Sequence, residues 1–180
     1  MTLLTIDPRS PASTTATVDV LAPRPATLAG QTLGVIANGL GRSIMMFERL
    51  AALLAEREDL ADAVTVVKPG VAVPPYPEQW QQITRRATVA VTGFGGCGSC
   101  STRSLRDALD LEAAGIPAVC LVHEALVPAV RAIAKFNGVP DYPIVTVGYP
   151  FDPIGSWTKE EASELAEWFA GPVRERLSQS

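Results

Sequence analysis

This chain is poor in several things. Its 180 residues include three cysteines, one histidine and 6 % aromatic side chains. No apolar run approaches the ~20 residues that a membrane-spanning helix needs. The opening MTLLTIDPRS carries an acid and a proline early and has no apolar core of the kind that marks a secretory signal. No cluster of Lys and Arg stands out, and the net charge is −4. The electrostatic footprint of a nucleic-acid binder is therefore missing. These absences lead us to expect a cytoplasmic protein with no membrane and no nucleic-acid partner. Thiols stay reduced in that compartment, so two cysteines close together suggest catalysis or metal binding rather than a structural bridge.

What is present points to a globular fold. Hydrophobic residues make up 47 % and charged residues 19 % of the chain, a composition that builds a core rather than a disordered chain. The length suits a single domain. Residues 1–30 are rich in Ser, Thr, Pro and Ala and read as a largely irregular tail, while 31–180 read as one α/β domain. Short apolar runs at 31–38, 62–69, 88–93, 118–122 and 143–148 fit buried strands. Between and after them, 42–59, 77–87, 101–117, 123–138 and 158–177 carry helical spacing. Pro77 suits a first helical turn, and Thr158 with Glu161 makes a capping box. Strands that alternate with helices and are apolar throughout predict a three-layer fold. It is a mostly parallel open sheet of about five strands with helices on both faces, Rossmann- or flavodoxin-like.

The chemistry concentrates in VTGFGGCGSCSTRS, Val91 to Ser104. A strand runs into four glycines, a C-x-x-C pair and a run of hydroxyls. Sites in parallel sheets form outside the carboxyl ends of the strands. Glycines allow a sharp turn and close approach of a ligand. The helix start offers unpaired N–H groups and partial positive charge. A thiolate there is stabilised, which lowers its pKa and raises its reactivity at neutral pH. On this placement Cys97 is the exposed nucleophile, and Cys100 is within reach to resolve or assist. Gly95 and Gly96 shape the loop. Ser99, Ser101 and Thr102 cap the helix or donate to a bound oxyanion, and Arg103 on the first turn suits an anionic substrate. His123, the single histidine, stands at a strand end on the pocket side and is the candidate acid or base, with Glu124 beside it. Asn38 and Arg42 follow the first strand in the same layer, as Lys68 follows the second. Arg106 and Asp107 suit solvent or packing. Cys120, inside AVCLV, reads as core.

Alternatives remain open on the residues alone. Cys97, Cys100, Cys120 and His123 would suffice for one four-ligand zinc site, although such sites usually come from small loop-rich folds. The preferred expectation is no metal. NGLGRS and GFGGCG look a little like phosphate loops, but neither fits the dinucleotide or P-loop pattern.

The stretch CGSCSTRSLRDALDLEAAGIPAV resembles the UGSC family, named for a selenocysteine-Gly-Ser-Cys motif in which many members carry cysteine first. More distantly, it is similar to the selenoprotein B subunits of glycine, sarcosine and betaine reductases. Gly loop, CGSC, hydroxyl run and D-x-x-x-L-E-x-x-G-I-P all occur in order, and VDVLAP and LGVIANG extend the likeness. The resemblance implies that Cys97 takes the selenocysteine position and Cys100 the partner position. It further implies a thiol that attacks a substrate carbon in reductive or substitutive cleavage of a carbon–heteroatom bond. Two departures stand out: sulfur replaces selenium, and NGLGRS lacks the lysine expected after the first strand, leaving Arg42 as the nearest cation.

The resulting expectation is a cysteine-dependent enzyme on a small-molecule substrate. It has no tightly bound cofactor, an external thiol reductant (a reductant protein is one form) and a homo-oligomeric state. Two other readings compete with it. One is a thioredoxin-like thiol–disulfide oxidoreductase, against which the proline-rich VGYPFDPIGSW argues, since it makes a poor hairpin strand. The other is a non-catalytic subunit that docks through proline loops bearing Trp80 and Trp157.

Overall fold

The computed structural model describes residues 21–148 and 156–179; the expectations for residues 1–20 and for most of the loop after residue 148 lie outside them. The elements follow in the order β1 (Thr32–Ala37), α1 (Ser43–Glu58), β2 (Asp62–Val67), α2 (Pro77–Arg86), β3 (Val89–Gly93), α3 (Gly98–Ala113) and β4 (Ala118–His123). A 3-10 turn (Glu124–Leu126), α4 (Val127–Phe136), β5 (Ile144–Val147) and α5 (Lys159–Leu177) complete the chain. The five strands form one all-parallel sheet in the order β2-β1-β3-β4-β5.

Alternation along each strand sends side chains to two separate cores. On one face Leu33, Val35, Val89, Val91, Val119 and Leu121 meet Phe47 and Leu50 of α1 and Leu165 and Phe169 of α5. On the other, Ile36, Ala90, Cys120 and Val122 meet Ile83 of α2, Leu105 and Ala108 of α3, and Val130 of α4. Both faces are thus covered, which is why the strands read as apolar throughout. The order places β1 and β3 side by side while their connections leave in opposite directions. A crevice opens at such a point, beyond the carboxyl ends of the two strands. The loops 38–42 and 94–97 flank it.

Two helix starts differ from the sequence reading. Helix α3 begins at Gly98, earlier than 101, because the Cys97 side chain itself caps it by accepting from the Cys100 N–H. The region 123–138 is not one helix. β4 runs on to His123, whose Nδ1 accepts from Ala125 N at 3.1 Å and caps a 3-10 turn. The α-helix follows only at Val127, with Pro128 in its first turn.

Residues 21–30 are irregular and fastened to the body. Leu28 is buried in the α1/α5 core. Arg24 Nη2 donates to Glu112 Oε1 at 2.7 Å, and Ala22 N donates to Glu112 Oε2 at 2.7 Å. The domain thus takes in residues that composition alone assigns to a tail.

Candidate functional site

β3 ends in Gly93, whose φ of 138° is open to glycine and costly for other residues. A Cβ there would meet Leu121 O at 2.8 Å. The chain then crosses the sheet end through Phe94, which is buried among Trp157, Phe169 and the edge of His123. At Gly95 the loop is pressed against the start of α3, so that a Cβ would lie 2.6 Å from both Ser101 N and Ser101 Oγ. Glycine at 95 is therefore a packing requirement of the turn, and Ser101, fully buried, donates back to Gly95 O at 3.4 Å. Gly96 and Cys97 are exposed.

Cys97 is the N-cap of α3. Its Sγ accepts from Cys100 N at 3.4 Å and lies 3.4 Å from Ser99 Oγ. Cys100, in the first turn, is 3 % exposed. The two cysteines are joined as a disulfide, with Cα atoms 5.3 Å apart. One sulfur thus faces solvent and its partner sits just inside. Cys120 is sealed in the α3 core, and burial pushes its thiol up to about 12. A thiol that stays protonated at neutral pH is neither a nucleophile nor a ready metal ligand. The sulfurs and His123 do not assemble into a metal-holding group; among the described residues none of three or more His, Cys, Asp or Glu occurs.

The remaining candidates fall in different places. Asn38 is buried, its Nδ2 donating to Phe94 O at 2.6 Å and its Oδ1 accepting from Leu40 N at 3.0 Å. It ties the loop after β1 to the loop that carries the cysteines, and its amide serves the scaffold. Arg42 lies at the rim, its Nε donating to Trp157 O at 2.5 Å. His123 is half-buried, edge-on to Phe94 with ring centroids 6.5 Å apart. Ser99 and half-buried Thr102 stand on the outer face of α3, Thr102 Oγ1 donating to Ser99 O at 3.1 Å.

Sequence reasoning named Arg103, Lys68 and Asp107 but missed that they bind one another. Lys68 Nζ donates to Asp107 Oδ2 at 2.7 Å, with both side chains buried. Arg103 reaches the other oxygen of Asp107, from Nε at 2.9 Å and Nη2 at 2.6 Å, and touches Asp110 Oδ2 at 2.9 Å. Burial pushes the Asp107 carboxyl up, against the pull of Lys68 and Arg103. Only the four-residue spacing of Arg103 and Asp107 was visible in the sequence. The partner on β2's far end lies 39 residues away.

Beside these groups runs an open groove of roughly 280 Å³, lined by Ala72, Ser99, Thr102, Arg103, Arg106 and Ile133. Its edge at Ser99 adjoins the Cys97 sulfur. No described helix is long and apolar enough to cross a membrane.

The sequence matches the UGSC family over residues 4–179. No curated protein matches the chain. Among solved structures, it is similar to the translation elongation factor SelB from Methanococcus maripaludis. The apo form shares 10 % identity at a TM-score of 0.36, covering 82 % of this chain and 34 % of that one. The complex with the GTP analogue GppNHp shares 9 % at 0.38, covering 83 % and 35 %. The chain thus spans about a third of those factors. They are translation factors rather than reductase subunits, and at these scores the likeness carries no argument about function.

Proposed function

This chain belongs to the UGSC family, and from that premise we propose that it is a cysteine-dependent enzyme acting on a small molecule, with Cys97 as nucleophile and Cys100 as the resolving thiol. The observation that carries this reading is the unequal pair: an exposed sulfur capping a helix and a buried sulfur within bonding reach. The reduced Cys97 sulfur would lie where the first-turn N–H groups and the helix dipole favour a thiolate.

Cys97 thiolate attacks an electrophilic carbon, forming C–S as the carbon–heteroatom bond breaks, and the heteroatom leaves with the electron pair and takes a proton. Cys100 thiolate then attacks Cys97 Sγ. An S–S bond forms, the C–S bond breaks, and the carbon leaves with its electron pair and gains a proton. The substrate is reduced by two electrons and the two thiols are oxidised to the disulfide. A carbanion can leave only if it is stabilised, so the reacting carbon lies next to a carbonyl or similar group. An external thiol, small or protein-borne, reopens the disulfide. His123, at the neighbouring strand end, is the residue we assign to proton transfer. No tightly bound cofactor is required. The cytoplasm, where such a reductant is abundant, is the compartment that suits it, and a homo-oligomer is the commonest state for a domain of this kind.

The decisive experiment pairs two variants. Cys97→Ser abolishes turnover and covalent labelling. Cys100→Ser accumulates an adduct on Cys97, read by intact mass after incubation with candidate electrophiles. Equal alkylation of Cys97 and Cys100 at the rate of a free thiol overturns the reading.

A second reading, disulfide transfer to protein thiols, is favoured by the disulfide itself. The all-parallel sheet departs from the strand hairpin of a thioredoxin-like fold. Transfer of the Cys97–Cys100 disulfide to a reduced peptide, at a rate above that of a small-molecule disulfide, would select it.

A further inference from the structure

The groove along α3 gives the substrate a charge. Ser99, Thr102, Arg103 and Arg106 follow each other at intervals that put them on one face of the helix, and together with Ala72 and Ile133 they line the groove. One end of this stripe is within a hydroxyl's width of the reacting sulfur, since Ser99 Oγ is 3.4 Å from Cys97 Sγ. Arg103 lies one helical turn further on, about 6 Å along the axis.

Arg103 is also held in an unusual way. Nε and Nη2 are bound to Asp107 and Asp110, while among the described residues no acceptor sits on Nη1. Asp107 cannot turn away, because its other oxygen is fixed by Lys68, whose side chain is 0 % exposed. A buried lysine and a buried aspartate are costly to assemble. Here they produce a guanidinium clamped on one edge, on a residue that lines the groove. Asp107 is shared by two cations, and Asp110, 36 % exposed, is screened by solvent. The clamped fork therefore keeps attraction for a further anion, and its planar donors suit an oxyanion.

We propose that this groove is the substrate's anion subsite. It takes a small electrophile bearing a carboxylate or phosphate-like oxyanion about one helical turn from the reacting carbon. Arg103 is the binding residue, and Asp107, locked by Lys68, positions it. The proposal rests on Cys97 being the sulfur that reacts.

The test uses two alkylating probes that differ only in charge, bromoacetylglycine and bromoacetylglycinamide, on the reduced full chain at low salt. The readout is the ratio of their rates at Cys97, resolved by peptide mass and divided by the same ratio on free cysteine. We expect the charged probe to be favoured about fivefold, the scale of one partly exposed charge contact. Arg103→Gln should bring the ratio to about one, and Arg103→Lys, which keeps the charge and loses the fork, should give a value between. Arg176→Gln, an equal loss of charge on α5, should leave the wild-type ratio. A wild-type ratio near one, or equal ratios in Arg103→Gln and Arg176→Gln, overturns the subsite. If Arg103→Gln does not fold, the Arg103→Lys ratio decides. The absolute rate at Cys97 is a separate readout: a rate no faster than free cysteine counts against the activated thiol, while the ratio still judges the groove.

Discussion

At the last turn of α3, Glu112 is 3 % exposed and accepts from Ala22 N, Ala118 N, both Nη atoms of Arg24 and Tyr142 Oη. At the first turn of the same helix, Cys97 is exposed and its sulfur accepts from one backbone N–H. The two ends would treat a negative charge in opposite ways. A carboxylate at a helix C-terminus opposes the dipole, and only its set of donors makes it tolerable; the result is a latch joining residues 22–24, β4 and Tyr142, two residues before β5. A thiolate at the N-terminus is favoured by the same dipole and needs no such set. The latch end spends its polar groups on stability, whereas the thiol end leaves its sulfur open to reagents.

Four measurements test this contrast. Replacing Glu112 with Ala leaves Arg24 and two buried N–H groups without their acceptor. We expect a loss of about 4 kcal/mol, at the upper range for a broken buried pair, seen as a large drop in Tm. A shift below ~1 kcal/mol, the scale of an exposed ion pair, would mean that the latch is decorative.

The next effect concerns the sheet between the two ends. Cys120 is raised from 9.0 to about 12 by burial. A thiol protonated more tightly in the folded state stabilises fully below pH 9 and is lost as pH rises from 9 toward 12. Over that window the loss is about 4 kcal/mol at most, from roughly three pKa units. Tyr142, raised by burial and then by Glu112, falls in the same direction. Urea unfolding at pH 8, 9.5 and 10.5 should show falling stability in the wild type and a shallower slope in Cys120→Ala.

Gly95→Ala forces a methyl against the Ser101 backbone. It should cost about 2 kcal/mol, a typical overpacking penalty, and slow alkylation of Cys97 because the loop shifts. Unchanged alkylation kinetics would show that loop and thiol are uncoupled.

Smallest in stability is Cys97→Ser. With thiols kept reduced, serine caps a helix well, so the folded state should change by less than ~1 kcal/mol by thermal melting while every thiol-dependent reaction disappears. A large loss of stability here would erase the distinction between the two ends.

The sequence made one kind of information plain and hid another. Strands β1 to β5 were legible because apolar runs broken by Gly, Pro and Asn are local signals. The Thr158–Glu161 capping box is local as well, and both of its hydrogen bonds are present, at 3.1 and 2.7 Å. The placement of Cys97 outside and Cys100 just inside followed from where a strand hands over to a helix. Arg24 with Glu112, 88 residues apart, and Lys68 with Asp107 were not legible. Each half looks like a surface charge until the fold brings its partner. The scaffold role of Asn38 was hidden for a related reason: a polar residue after a strand suggests a ligand, and nothing local shows that its amide holds Phe94 O, 56 residues away. His123 was placed at the strand end, but its capping of a 3-10 turn depends on backbone angles that no residue pattern prescribes.

The unequal exposure of the two sulfurs also fixes a direction of attack. An incoming thiol can open the Cys97–Cys100 bond only at the outer atom, so any mixed disulfide forms on Cys97 and Cys100 is released first. Peroxide likewise meets Cys97 first; its sulfenic acid should condense with Cys100 to restore the disulfide, so sulfinic or sulfonic acid should accumulate at Cys97 only where Cys100 is replaced.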